Sequence, residues 1–209
     1  MAVVDLVFPI LGESVSQQHA YDLYAAVCRI VPGFHENNAV GIFAIRGVST
    51  GNGQLALNER SSLRLRLPTE SIPHALPLSG KPLELNGARL RIGVPRVIAL
   101  VPAATLISNF VFIKLAHADE TGVTLELFLE AARKQLGDKN IKGEPSIPLA
   151  QSGPHAGEPR RRVLRMKDQS LVGYSLLVEG LTAEESIVLQ EEGIGGKRRM
   201  GCGLFVAMK

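Results

Sequence analysis

The chain has no tryptophan, aromatic residues make up only 5 % of it, and its 209 residues include just two cysteines. So few rings leave little for a surface that holds single-stranded nucleic acid mainly by stacking, and the LRLRL stretch at Leu63–Leu67 carries none. Cys28 and Cys202 are too few for a disulfide scaffold, so free thiols in a cytoplasmic setting are expected. No apolar run approaches the roughly 18 residues that cross a bilayer. Met1–Leu11 contains Asp5 and lacks a basic leader, so neither a membrane span nor a signal peptide is read. The histidines show no spacing with cysteines or acids that suits a metal, so no metal or other cofactor is expected.

What is present is an ordinary globular composition, 45 % hydrophobic and 21 % charged, long enough to bury a core in one large or two small domains. The net charge is +3 and the pI about 9.0, a weak hint of nucleic acid by itself. The distribution says more. Arg160, Arg161, Arg162, Arg165 and Lys167 fall within eight residues that hold no acid, and Lys197, Arg198 and Arg199 form a second cluster. Acids gather elsewhere, at Glu184, Glu185, Glu191 and Glu192. Two basic patches suit a phosphate backbone; solvated loops are the bland alternative.

Two similar halves follow from periodicity. Val3–Leu11 reads as a buried strand, and Ser14 with Gln17 as a capping box. The helix after it carries Ala20, Leu23, Tyr24, Val27, Ile30 and Val31 on one face, and Pro32-Gly33 stops it. Ala39–Ile45 is a second strand; Leu63, Leu65 and Leu67 alternate with Arg64 and Arg66 in a third. A short irregular helix at Thr69–Ala75 and a strand at Arg89–Ile92 complete the half. The second half repeats the order: a strand at Thr105–Ala116 and a helix at Leu125–Leu136. An edge or irregular segment at Ile141–Ala150 follows, then a hairpin of Arg161–Lys167 and Leu171–Val178 joined by Asp168-Gln169-Ser170. A helix capped by Thr182 with Glu185 and a strand at Leu204–Met208 close it. Two βαββαβ copies make an α+β, tandem ferredoxin-like (RRM-like) protein, with domains at residues 1–100 and 101–209 and the boundary between Pro95 and Thr105.

The most specific segment is Gly193–Phe205, GIGGKRRMGCGLF, with five glycines in eleven residues. Glycine allows positive φ and close backbone approach, and exposed N–H groups in such a loop can hold phosphate oxygens. The loop follows a helix and precedes a strand, and it is neither a Walker loop nor a dinucleotide fingerprint. This segment resembles the C-terminal loop of the CRISPR precursor-RNA processing endoribonucleases, the Cas-six family of the RAMP superfamily, and is most similar to the subtype named after Myxococcus. LTAEESIVLQEEG (Leu181–Gly193), HAYDLYAAVCRIVP from His19 and FHENNAVGIFAIRG from Phe34 resemble it too. The loop marks the superfamily; the N-terminal stretch with the loop is more specific.

The resemblance implies an enzyme that binds a CRISPR repeat RNA within precursor crRNA and cuts it without metal. The RNA's 2′-hydroxyl attacks the adjacent phosphate, leaving a 2′,3′-cyclic phosphate and a 5′-hydroxyl. Such chemistry needs a base, an acid and a cation for the phosphorane, and histidine, with an ordinary pKa of about 6.5, suits the first two. The family places a histidine base on or just after the first helix, which His35 in the Phe34–Glu36 loop matches; His19, in the first turn, is the competitor. Relatives carry a tyrosine or histidine near the end of that helix, where this chain has Cys28 and Arg29. That departure leaves the acid unassigned, and Arg29 becomes a candidate for the phosphorane or a helix cap. Tyr24 is read as packing, and His74, His117 and His155 receive no role. RNA contact is expected at Arg160–Arg162, Arg165, Lys167, Gly195, Gly196, Lys197, Arg198, Arg199, Gly201 and Gly203. Other Cas proteins of an effector complex are further implied partners. The competing readings are a non-cleaving RNA-binding RAMP subunit of an effector complex, and a structural protein that binds no RNA.

Overall fold

Val3–Leu11 (β1) is the strand on which the first half is built, because alternate residues Leu6, Phe8 and Ile10 are buried in its core. The computed structural model describes residues 2–115, 124–151, 153, 155–166 and 169–208. After β1 come Ser14–Ser16 (β2), Ala20–Ile30 (α1), Gly41–Ile42 (β3), Val48–Ser49 (β4), Gln54–Ala56 (β5), Ser62–Pro68 (β6), Ile72–Ala75 (α2), Pro82–Leu85 (β7), Ala88–Ile92 (β8) and Arg96–Ala99 (β9). β1 pairs antiparallel with β6 from Val3–Pro68 to Pro9–Ser62. On its other edge it pairs with β9 through Val4–Val7 and with β8 through Ile10 and Leu11. Pro9, which has no N–H to give a ladder, lies where β1 changes partner. The sheet runs β3-β6-β1-β8-β7, and β2, β5 and β4 form a second, small one.

The alternation in β6 is as sharp as its sequence: Leu63, Leu65 and Leu67 are fully buried against α1 and its neighbours. The opposite face of β6 is not simply solvated. Arg66, fully buried, makes a two-point pair with buried Asp5 of β1 (Nε–Oδ1 2.8 Å, Nη2–Oδ2 3.0 Å). Arg64 also bonds Asp5 Oδ2, and both guanidiniums lie over the Phe43 ring, 4.6 and 5.1 Å from its centroid. The cross-strand partnership of Asp5 and Arg66 places the pair.

Three local expectations change. Ser14 does not cap α1: Ser14–Ser16 pairs with Gln54–Ala56, and the helix begins at Ala20 behind His19, with no side-chain cap. The Ala39–Ile45 strand shrinks to Gly41–Ile42, the part with backbone partners on β6. The expected boundary region between Pro95 and Thr105 contains β9, an edge strand of Arg96–Ala99 with every residue exposed.

The second unit contains Leu106–Val111 (β10), Leu125–Gly137 (α3), Glu144–Ser146 (β11), Arg161–Met166 (β12), Gln169–Glu179 (β13), Ala183–Glu192 (α4) and Val206–Ala207 (β14). Its sheet runs β11-β13-β10-β14, with β12 also on β13. Thr124 caps α3 by accepting from Leu127 N, and Thr182 with Glu185 forms a full capping box on α4. The first half of β13 pairs with β12; its second half pairs with β10 and β11. A side chain at Gly173 would come within 2.1 Å of the Val111 carbonyl, so glycine is required where the strands close in. Gln169 and Ser170 belong to β13 rather than to the turn, because they pair with Met166 and Arg165. The strand expected at Thr105–Ala116 ends at Val111, while Ala116, His117, Lys167 and Asp168 lie outside the described residues.

The architecture is α+β, tandem ferredoxin-like. One unit comprises Met1–Leu100 with Arg199–Gly201, the other Val101–Arg198 with Cys202–Lys209. The short return of residues 199–201 to the first unit is what positions the site. Among the described residues, no helix is long and apolar enough to cross a membrane.

Candidate active site

α1 buries Leu23, Tyr24, Ala26 and Val27, the spacing of three and four that makes one helical face. Pro32 then opens a 3-10 turn, Pro32–His35, which Phe34 anchors in the core at 2 % exposure. That anchor leaves the next residue, His35, on the surface. The Tyr24 hydroxyl lies at the margin of the core, 2.7 Å from His35 Nδ1, with the two rings stacked at 24°. Arg199 covers the Tyr24 ring at 5.6 Å, and its Nη1 donates to the carbonyl of Phe34 at 3.4 Å. Cys28 lies one helical turn beyond Tyr24, close enough for the two groups to shift one another's pKa.

Burial raises the Tyr24 pKa, the neighbouring Cys28 adds to this, and Arg199 opposes it. Burial likewise raises the Cys28 thiol. Both groups therefore stay protonated near neutrality, and the tyrosine has a hydroxyl proton to place.

His19, the competing base, sits in a different setting. It is 2 % exposed, its Nδ1 is 2.7 Å from the Ser16 carbonyl, and its Nε2 accepts from Ile45 N–H at 2.9 Å. Both ring nitrogens are engaged, so no lone pair is left for a substrate; the imidazole ties the start of α1 to the strand region after β3. Burial lowers its pKa, partly offset by the Ser16 bond. A histidine kept neutral by the fold contributes stability above its unfolded pKa of about 6.5, and this is lost as pH falls below that value toward the lower folded pKa. The thermal midpoint of the wild type is expected to fall more steeply between pH 7 and 5 than that of His19→Gln. Parallel pH profiles would show that His19 is not the linked group.

Arg29 faces away from the Tyr24–His35 pair. Five residues separate it from Tyr24, about 140° around the helix, and its Nη2 donates to the Glu84 carbonyl at 3.2 Å. The cation at the His35 cluster is Arg199, from the glycine-rich loop.

The loop's amides are directed into the protein rather than toward solvent. Gly195 N–H donates to Gln135 Oε1 at 2.7 Å, Gly196 N–H to the Phe112 carbonyl and Gly203 N–H to the Phe110 carbonyl, both at 2.8 Å. A side chain at Gly195 would approach Phe112 O to 2.4 Å, and one at Gly203 would approach Ile194 O to 2.1 Å, both at positive φ. These glycines pack the loop; Gly201, also at positive φ, lies beside Ile42 and Ala44. Lys197 is exposed, and Arg198 Nη2 donates to the Glu191 carbonyl at 2.6 Å. In the second unit Arg161, Arg162 and Arg165 stand exposed on β12, with Arg160 half-buried before them.

Tyr24 is the residue that sequence reasoning left out, since a tyrosine on an apolar face looks like core. The sign available was its position at i−4 from Cys28, on the side of the helix that the chain revisits after Pro32-Gly33.

The chain is 38 % identical over 206 residues to the CRISPR-associated endonuclease Cas6 of Myxococcus xanthus (strain DK1622), covering 99 % of this chain and 82 % of that protein. Among solved structures, a CRISPR associated protein Cas6 superposes with a TM-score of 0.72 at 13 % identity, covering 99 % and 100 % of the two chains. A Cas6-related protein from Pyrococcus furiosus gives 0.67 at 11 % identity, covering 99 % of each. At such identities these two speak for the fold alone. The Cas6 CRISPR family model matches residues 4–209, and the chain belongs to that family.

Proposed function

We propose that this protein is a metal-independent endoribonuclease that binds CRISPR repeat RNA and cuts precursor crRNA by attack of the RNA's own 2′-hydroxyl. The observation that carries the reading is the Tyr24–His35–Arg199 cluster in a chain so similar to a protein named as a CRISPR-associated endonuclease. In the acting tautomer the Tyr24 oxygen accepts from His35 Nδ1–H. That bond fixes the tautomer and leaves Nε2 bare on the exposed side of the ring. Nε2 takes the 2′-hydroxyl proton as the 2′-oxygen bonds to phosphorus, and the P–O5′ bond breaks, the 5′-oxygen taking a proton from solvent. Arg199, held over Tyr24, offsets the charge that grows on the phosphorane oxygens. The products are a 2′,3′-cyclic phosphate and a 5′-hydroxyl. No group of three or more His, Cys, Asp or Glu side chains gathers as metal ligands among the described residues, and the cluster supplies base and cation without one.

The exposed arginines of β12 act as the grip on the RNA backbone, and other Cas proteins of an effector complex are further partners. Binding is expected to weaken linearly with the logarithm of salt concentration, and Arg161→Ala or Arg165→Ala each to reduce the slope by about one. A slope unchanged in both variants would remove the hairpin from the interface. The reaction itself is tested by cleaving repeat RNA in excess EDTA and examining the new ends. Cutting that persists, with a 3′ end resistant to phosphatase until acid opens it, supports the mechanism. Loss of cutting in EDTA, or an ordinary 3′-hydroxyl, overturns it.

A further inference from the structure

The second unit holds a polar recess of about 650 Å³ that the mechanism does not use, lined among others by Gln151, His155, Glu158 and Arg160–Arg162. Its wall is built from a tied loop. Ala150 N–H donates to the Glu158 carbonyl, Gly157 N–H to the Ala150 carbonyl, and Arg160 N–H to the Pro148 carbonyl at 2.8–2.9 Å, with Gly157 at positive φ. Glu158 is oriented by His155, Nδ1 to Oε2 at 2.9 Å, and Oε1 has no partner among the described residues. None of the three arginines forms an ion pair with this carboxylate or with any other acid among the described residues. Arg162, though exposed in part, has its pKa lowered by partial burial and then by the charge of Arg160.

A recess lined by a carboxylate as well as three guanidiniums, none of them ion-paired with it, is a poor design for phosphate alone, because the carboxylate repels the anion. A ligand that suits both is anionic at one end and presents paired donors at the other. Among the four bases only guanine offers two adjacent donors, N1–H and N2–H, on its Watson–Crick edge. Adenine and cytosine pair one donor with an acceptor, and uracil has one donor between two acceptors. The geometry points to a subsite for an unpaired guanine nucleotide of the bound RNA, with Glu158 accepting from the guanine edge, His155 positioning Glu158, and the arginines holding the flanking phosphates. The inference rests on RNA being the ligand as proposed above.

The test uses the full-length protein and the four ribonucleoside 5′-monophosphates, each titrated while the His155 Cε1–H resonance is followed by NMR. Guanosine monophosphate is expected to bind about tenfold more tightly than the other three, the lower range for a two-point base contact. Glu158→Gln is expected to bring the four within about twofold without weakening adenosine monophosphate, because it turns one of the two acceptor oxygens into a donor, breaks the match to guanine's paired donors and leaves the arginines. Arg161→Ala is expected to weaken all four alike. Equal binding of the four by the wild type, a guanine preference that survives Glu158→Gln, or no shift of His155 with any nucleotide overturns the subsite. Cleavage of repeat RNA, measured in parallel, is untouched by those outcomes and reports on the proposed reaction separately.

Discussion

His35→Ala is expected to slow single-turnover cleavage of repeat RNA by about 10²–10⁴-fold, the range for removing a general base, while leaving RNA affinity within about twofold. The side chain is exposed and the turn that carries it is anchored by Phe34, so the fold does not depend on the imidazole. Tyr24→Phe separates orientation from proton transfer. It removes the hydroxyl that holds Nδ1 and keeps the ring on which Arg199 lies, so an intermediate loss and a changed pH–rate profile are expected. If His35→Ala cleaves at the wild-type rate, the base is elsewhere and the cluster is structural.

Asp5→Asn is expected to be the most destabilising single change in the first unit. It leaves Arg66, fully buried, without its carboxylate, and breaking a buried pair from one side costs about 3–5 kcal/mol. Against a typical total of about 5–15 kcal/mol, that is a large fraction. The cost arises because a desolvated guanidinium is stranded, not because the pair is strongly net favourable. The double replacement Asp5→Leu with Arg66→Leu is therefore expected to be less destabilised than Asp5→Asn, as read from denaturant midpoints. A loss of under about 1 kcal/mol in Asp5→Asn would mean that water or a neighbouring group takes over the pairing.

The parts of the fold that were legible in sequence are those with a strong local signal. Val3–Leu11, the LRLRL alternation, the face of α1 and the Thr182/Glu185 box each combine a period or a cap with a run long enough to read. The parts that were not legible have two or three residues or depend on a distant partner. Ser14–Ser16 looked like a helix cap because only the far-off Gln54–Ala56 makes it a strand, and Arg96–Ala99, exposed throughout, has no apolar alternation to betray it. The site divides the same way. His35 stood out by its place after a helix stop. What surrounds it comes from tertiary structure: Tyr24 shows the same apolar pattern whether or not its hydroxyl meets a ring, and Arg199 lies 164 positions further along the chain. His19 stood as the competing base and Arg29 as a candidate cation, and burial with two engaged nitrogens, or a helix face turned elsewhere, is not written in a local pattern.

The central claim is that the RNA supplies its own nucleophile, and a single 2′-deoxy substitution at the cut tests it most directly. The wild-type protein in EDTA is predicted to bind the deoxy and all-ribose repeats equally, to cut the ribose strand and to leave the deoxy strand intact. Comparable cutting of both strands would contradict the mechanism, and tight binding with neither strand cut would make the chain an RNA-coating member of its family rather than a nuclease.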